Sequence, residues 1–273
     1  MTKRLELLSL KGVWAANAAF VERVVQQAFD IVDLTGEFAN SAPITMVGDV
    51  AVIPISGTMV KGASWWGYNT QDLRASLRDA VANKKVAGIV LDVDSPGGSV
   101  DGMAALVDDL QDARRAKPVV AYVEDTAASA AYWAASQADK IIAGRSADLG
   151  SIGVYATVVD SSQRAEKMGL KVHVIKSAPG KAAGAPGTEI TEEQLSDLQA
   201  MVDRSHEDFV ASVANGRRMT MERADSLATG KLYSARDAVA NGLADSIGRM
   251  SDAIDMARQL ANARRANESM RFF

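Results

Sequence analysis

From Val50 onward the chain alternates short β-branched runs with stretches of helical periodicity, and this alternation constrains the fold more than any other feature. The runs are Val50–Ile55, Ala87–Val93, Val119–Val123, Ile141–Ala143, Val154–Val159 and Val172–Ile175. Between them the apolar spacing predicts helices over Asn69–Ala82, Gly102–Ala116, Ala127–Ala138 and Gln163–Met168. Strands that are apolar almost throughout, separated by helices, call for an α/β fold whose largely parallel sheet is covered on both faces. After Glu189 the pattern turns helical. Thr191 followed by Gln194 reads as a capping box opening a helix to about Ala214, with further helices over Thr220–Ala228, Ala235–Asn241 and Ser251–Ala266.

Ahead of this core, Trp14, Ala18, Val21, Val25, Phe29 and Val32 recur at helical spacing, which predicts an amphipathic helix over Val13–Val32. A polar stretch over Thr35–Asp49 then reads as a linker. The expected organisation is an N-terminal extension over 1–49, a main domain over 50–248 and a C-terminal helix and tail over 249–273. No run approaches the roughly 18 consecutive apolar residues of a membrane helix, and Glu6 and Lys11 interrupt any signal-like region. A chain made and kept in the cytoplasm is the expectation.

Composition narrows the chemistry. The chain has 273 residues, no cysteine and 2 histidines, His173 and His206. Thiolate metal sites and a cysteine nucleophile are excluded, and a three-histidine metal site cannot be built within one chain. Strand alternation puts His173 on a polar face, and His206 falls in the charged segment Asp203–Asp208, so neither is well placed to serve a catalytic triad. A net charge of −4 with dispersed basic residues gives no footprint for nucleic acid. Walker, dinucleotide-glycine and His-Glu-x-x-His patterns are absent from the sequence.

Four segments could carry chemistry. Ser95-Pro96-Gly97-Gly98 follows a strand, and adjacent glycines there can turn backbone N–H groups toward an anion, although the same motif can be an ordinary strand-to-helix turn. Ser129, between Ala127-Ala128 and Ala130-Ala131, stands where a strand meets a helix; it suits a nucleophile elbow or a small-residue packing face. Lys181 is framed by Gly180, Ala182, Ala183 and Gly184. A lysine held in apolar surroundings gives up its charge more readily, and a neutral amine can take a proton from a serine, whereas a solvated loop lysine does nothing of the kind. Ser151, in Gly150-Ser151-Ile152-Gly153, could orient such an amine or be a turn serine. Trp65-Trp66 forms an aromatic pair suited to local packing or to contact with a partner.

In order, Ser-Pro-Gly-Gly, Ala-Ser-Ala-Ala-Tyr, Gly-Ser-Ile-Gly-Val, the lysine loop ending in Ala185-Pro186, and Leu232-Tyr233-Ser234 with Asn241–Asp245 resemble the signal peptide peptidase A family of serine peptidases, within the Clp-protease/crotonase-like superfamily. The resemblance runs from about Val50 to Gly248. It implies a spiral of β-β-α units and a Ser-Lys dyad in which Ser129 is the nucleophile, Lys181 the general base and Ser151 the residue that orients the lysine. The oxyanion hole would be formed by N–H groups of Gly97 or Gly98 with Ala130. No cofactor or metal is implied. Ala130 and Ala131 depart from the glycines usual after the nucleophile, and Gly180 from the aromatic often found before the lysine. Half-length members without a membrane anchor resemble the head-maturation proteases of tailed phages, which process scaffold or portal proteins. The implied partners are a protein or peptide substrate and further copies of the chain, the dyad being completed between neighbouring protomers. An acyl-CoA enzyme of the crotonase type, a cytosolic peptide-degrading protease and a structural capsid component are the alternatives.

Overall fold

A computed structural model describes residues 14–16, 44–62 and 68–270. The main body is built from repeated turns of strand, short strand and helix. In the first turn β3 (Val50–Ser56) leads through β4 (Met59–Val60) and β5 (Tyr68–Asn69) into α1 (Thr70–Ala82). In the second, β6 (Gly88–Ser95) leads through β7 (Gly97–Ser99) into α2 (Met103–Ala116), and in the third β8 (Val119–Ala128) runs directly into α3 (Ala130–Ala135). β3, β6 and β8 lie parallel and adjacent in the large sheet, flanked by the antiparallel β2 (Thr45–Val47) at one end. The short strands form a second sheet in the order β1 (Trp14–Ala16), β7, β4, β5.

Both faces of the large sheet are covered, which is why its strands read as unbroken apolar runs. On one face Ile53, Ile55, Leu91 and Val93 pack with Leu73 and Leu77 of α1 and Leu106 and Leu110 of α2. On the other, Val50, Val52, Val90 and Val120 meet Ala253 and Ala257 of α8 (Met250–Met270). That contact is close: a Cβ on Gly88 would stand 3.1 Å from the Ala257 carbonyl oxygen. The C-terminal helix is thus a layer of the main body.

Beyond α3, β8 pairs along its first half with β9 (Lys140–Ala143) and at its end with β10 (Asp148–Gly150). The helices α5 (Glu192–Arg217), α6 (Met221–Leu227) and α7 (Ala235–Asn241) follow, with β11 (Leu232–Ser234) pairing β10 and β12 (Ser246–Ile247) pairing β9. The capping box at Thr191 and Gln194 is present, and α5 runs three residues past Ala214. The ring of Phe209 on α5 stacks on Trp133 of α3, centroids 4.5 Å apart, fixing the helical region to the α3 side of the core. No helix among the described residues is long and apolar enough to cross a membrane.

Three expectations fail or fall outside the described residues. Val154–Val159 and Val172–Ile175 form no strand within the single chain: apart from an isolated bridge at Tyr155 and the short α4 (Ser162–Lys167), residues 151–190 have no helix or strand. Period-two apolarity alone does not make a strand, which needs continuous pairing along a neighbouring edge. His173 accordingly lies in exposed loop, whereas His206 is on α5 as read from the sequence. Of the helix expected over Val13–Val32 only Trp14–Ala16 is described, and it is a strand, because those residues pair with β7. Trp65 and Trp66 lie outside the described residues.

Candidate active site

The last residues of β8 deliver Ser129 to the start of α3 in a conformation that L-residues avoid, φ 54° and ψ −121°. Such a backbone costs of order 1–3 kcal/mol and persists only where its surroundings impose it. Here the Ser129 N–H donates to the Gly150 carbonyl at 2.7 Å, and its own carbonyl accepts from Trp133 N–H at 2.8 Å. A serine at a helix start ordinarily spends its hydroxyl on the first turn. Thr191, Thr220 and Ser234 all do so in this chain. Ser129 does not: its residue is 1% exposed, and its Oγ makes no hydrogen bond among the described residues. The strand-to-helix turn therefore presents a buried, unengaged hydroxyl.

The small residues around it are required by packing. Ala130, Ala131, Ala134 and Ala135 are all fully buried against the core. Tyr132 anchors the same turn, donating its phenol to the Leu243 carbonyl at 2.9 Å from a fully buried position. Burial, reinforced by Asp245 and opposed by Arg217, pushes that phenol well above the ordinary tyrosine range. Asp245 in turn accepts from Lys140 Nζ, the Ile141 N–H and Arg217. Burial alone would raise its carboxyl; Arg217 and these donors outweigh it and hold the group below the usual carboxylate range.

Ser151 is brought to the same place. Gly150 pairs with Ala128 across the parallel β8–β10 ladder, so the next residue of each strand, Ser151 and Ser129, stand side by side. Ser151 also has a positive φ of 50° and is buried, with its N–H donating to the Lys231 carbonyl at 2.7 Å. Ser95 pairs with Ala127 on the other flank of β8, so β7 begins beside the Ser129 turn. The Ser95 hydroxyl donates to the Gly57 carbonyl at 2.6 Å and accepts from the Gly97 N–H at 3.2 Å, a clamp on this loop that the sequence motif did not single out.

The two glycines are needed for different reasons. Gly97 has φ +94°, open to glycine at little cost. Gly98 is pressed so closely on β4 that an added Cβ would fall 1.8 Å from the Met59 carbonyl oxygen.

Lys181 is the one sequence-predicted site residue that the single chain does not bring in. It is exposed, on a segment held by local turns such as Lys181 N–H to the Ala178 carbonyl, and no hydrogen bond joins it to Ser129. Its apolar neighbours in sequence do not bury it, because the loop lies on no strand of the core. Yet this segment carries uncovered apolar side chains: Val159, Met168, Leu170 and Ile175 are 67%, 63%, 56% and 100% exposed.

A parallel α/β spiral with a strained serine between a strand end and a helix has the geometry of a nucleophile elbow. Residues 111–264 match Peptidase family S49, and the chain belongs to that family. It is 37% identical over 68% of its length to a protein of Methanocaldococcus jannaschii that bears a protease name, of which it covers 60%. It is 33% identical over 82% of its length to Protease 4 of Salmonella typhi, covering 37% of that protein. Capsid assembly protease C of Escherichia phage lambda is 31% identical over 82% of this chain, which spans 52% of it. The chain thus spans about 60% or less of each of these relatives.

Proposed function

We propose that the protein is a serine endopeptidase that hydrolyses peptide bonds through an acyl-enzyme formed on Ser129, with Lys181 as general base. The observation that carries this reading is the Ser129 turn: strained, buried, and with a hydroxyl that caps nothing and has no hydrogen-bond partner among the described residues. Leaving a buried hydroxyl unengaged costs about 1–3 kcal/mol, a cost expected where the group has a chemical partner supplied from elsewhere. Neutral Lys181 takes the Ser129 proton, Oγ adds to the carbonyl carbon, and N–H groups of Gly97 or Gly98 and of Ala130 hold the oxyanion. Lys181 then protonates the leaving amine and activates the water that clears the ester. Ser151, beside Ser129, orients the amine.

Lys181 reaches Ser129 when copies of the chain assemble. The exposed apolar residues between Val159 and Ile175 support this, since an isolated chain rarely leaves such a run uncovered. A homo-oligomer that works in the cytoplasm on capsid scaffold or portal proteins is the reading favoured by the likeness to Capsid assembly protease C and to the head-tail preconnector protein GP5 of Enterobacteria phage P21. The test is hydrolysis of scaffold or peptide substrate by Ser129→Ala and Lys181→Ala. Each should lose activity by about 10⁴-fold or more; near-full activity in either refutes the dyad.

A further inference from the structure

The strand β1 lies in a telling place. Trp14–Ala16 pairs antiparallel with β7 in the register Trp14 with Ser99, Ala15 with Gly98 and Ala16 with Gly97. The opposite edge of β7 is taken by β4, through Met59 and Gly98. β1 therefore fills the open edge of the Gly97–Ser99 strand, the edge an incoming extended peptide would use to join the sheet by backbone pairing. The register also has a direction. Ala16 faces Gly97, at the end of β7 that begins beside the Ser129 turn, while Trp14 faces Ser99, farther from it. A peptide running this way brings the carbonyl of its residue opposite Gly97 to the nucleophile end of the groove. Ser129 itself is 1% exposed, so the hydroxyl is closed to solvent while this arrangement holds.

We propose that Trp14-Ala15-Ala16 is a built-in occupant of the groove that receives the acyl side of a peptide substrate, and that this strand must leave before another peptide can enter. The proposal rests on Ser129 being the nucleophile. It assigns the groove an extended peptide ligand held by main-chain pairing along Gly97–Ser99, with a small residue, here Ala16, opposite Gly97. The occupant comes from the chain itself, so its effective concentration is far higher than that of a free peptide. Exchange of this strand for substrate would then set the activity of the free enzyme.

The absence of cysteine makes the pairing directly testable in the full chain. Directly opposed Cα atoms of an antiparallel pair stand about 4.5–5.5 Å apart, within the disulfide range. Under mild oxidation, Trp14→Cys with Ser99→Cys should close within one chain in most molecules, and Ala16→Cys with Ser99→Cys, two residues out of register, should not. A second arm uses Ala15→Pro, which removes an amide proton and disfavours pairing. It should raise the rate at which a fluorophosphonate modifies Ser129 by about tenfold, the effect of losing roughly one to two hydrogen bonds. Failure of the in-register disulfide, or its formation only between chains, overturns the intrachain pairing. A disulfide that forms while Ala15→Pro leaves labelling unchanged overturns the blocking role. If Ser129 reacts in neither chain, the nucleophile assignment fails and the occupancy proposal falls with it, and a closed disulfide would then identify that step as the one at fault.

Discussion

The surroundings of Ser129 and of Lys181 are built in opposite ways. Ser129 sits where three parallel strands, a buried helix and an aromatic stack converge, and its own backbone N–H and carbonyl are both engaged. Lys181 sits in a segment of about forty residues that carries one short helix, few long-range bonds and a run of uncovered apolar side chains. The difference teaches that one chain suffices to strain and position the Ser129 hydroxyl, whereas the proposed pairing with Lys181 calls for a second surface. A strained turn must be over-determined by its neighbours; the lysine loop is held by local turns.

Substitutions can break that contrast, beginning with the largest effect. Lys181→Arg keeps the charge but cannot be neutralised near neutral pH, so activity should fall about 10⁴-fold while thermal stability is unchanged. An enzyme with normal turnover would place the base elsewhere.

On the rigid side, Gly98→Ala drives a Cβ into the Met59 carbonyl and should cost about 3 kcal/mol or more, read as an earlier denaturant midpoint. A neutral outcome would mean that β4 and β7 are less tightly joined than their contact indicates.

Asp245→Asn should cost about 2–3 kcal/mol at pH 7, because Arg217, with only 6% of its side chain exposed, loses its partner. The carboxyl of Asp245 is held low in the folded chain, so its stabilisation is complete above the ordinary carboxylate range and fades as pH drops through the folded value. The gap between the two proteins should therefore shrink in acid. A gap independent of pH would contradict the pairing.

The smallest effect is expected on the exposed side. Ile175→Asp should change the stability of the chain by less than about 0.5 kcal/mol, yet lower activity about tenfold at low protein concentration, with recovery on concentrating. Equal loss at every concentration would separate this residue from assembly.

The legibility of the sequence follows the same divide. Strands β3, β6 and β8 and helices α1, α2 and α5 were readable because burial on both sheet faces and a capping box leave local signatures. Ser129 and Ser151 were readable from motif order, and the structure sets them side by side. The Val154–Val159 and Val172–Ile175 strands were misread, since apart from the isolated bridge at Tyr155 these residues join no ladder among the described residues. The pairing of Trp14–Ala16 with β7 could not be foreseen: three residues carry no period, and their pairing with β7 comes from the edge that β7 leaves open. The Ser95 clamp on Gly57 and Gly97 was hidden for a related reason, since a side chain that ties its own turn to a distant loop leaves no periodic trace.

The central claim is that the Ser129 hydroxyl is a nucleophile activated by Lys181. Labelling the full chain with a fluorophosphonate and mapping the modified peptide by mass spectrometry tests it most directly. The account predicts modification at Ser129 alone and its loss in Lys181→Met. Modification at another serine, or undiminished modification of Ser129 in Lys181→Met, would contradict it.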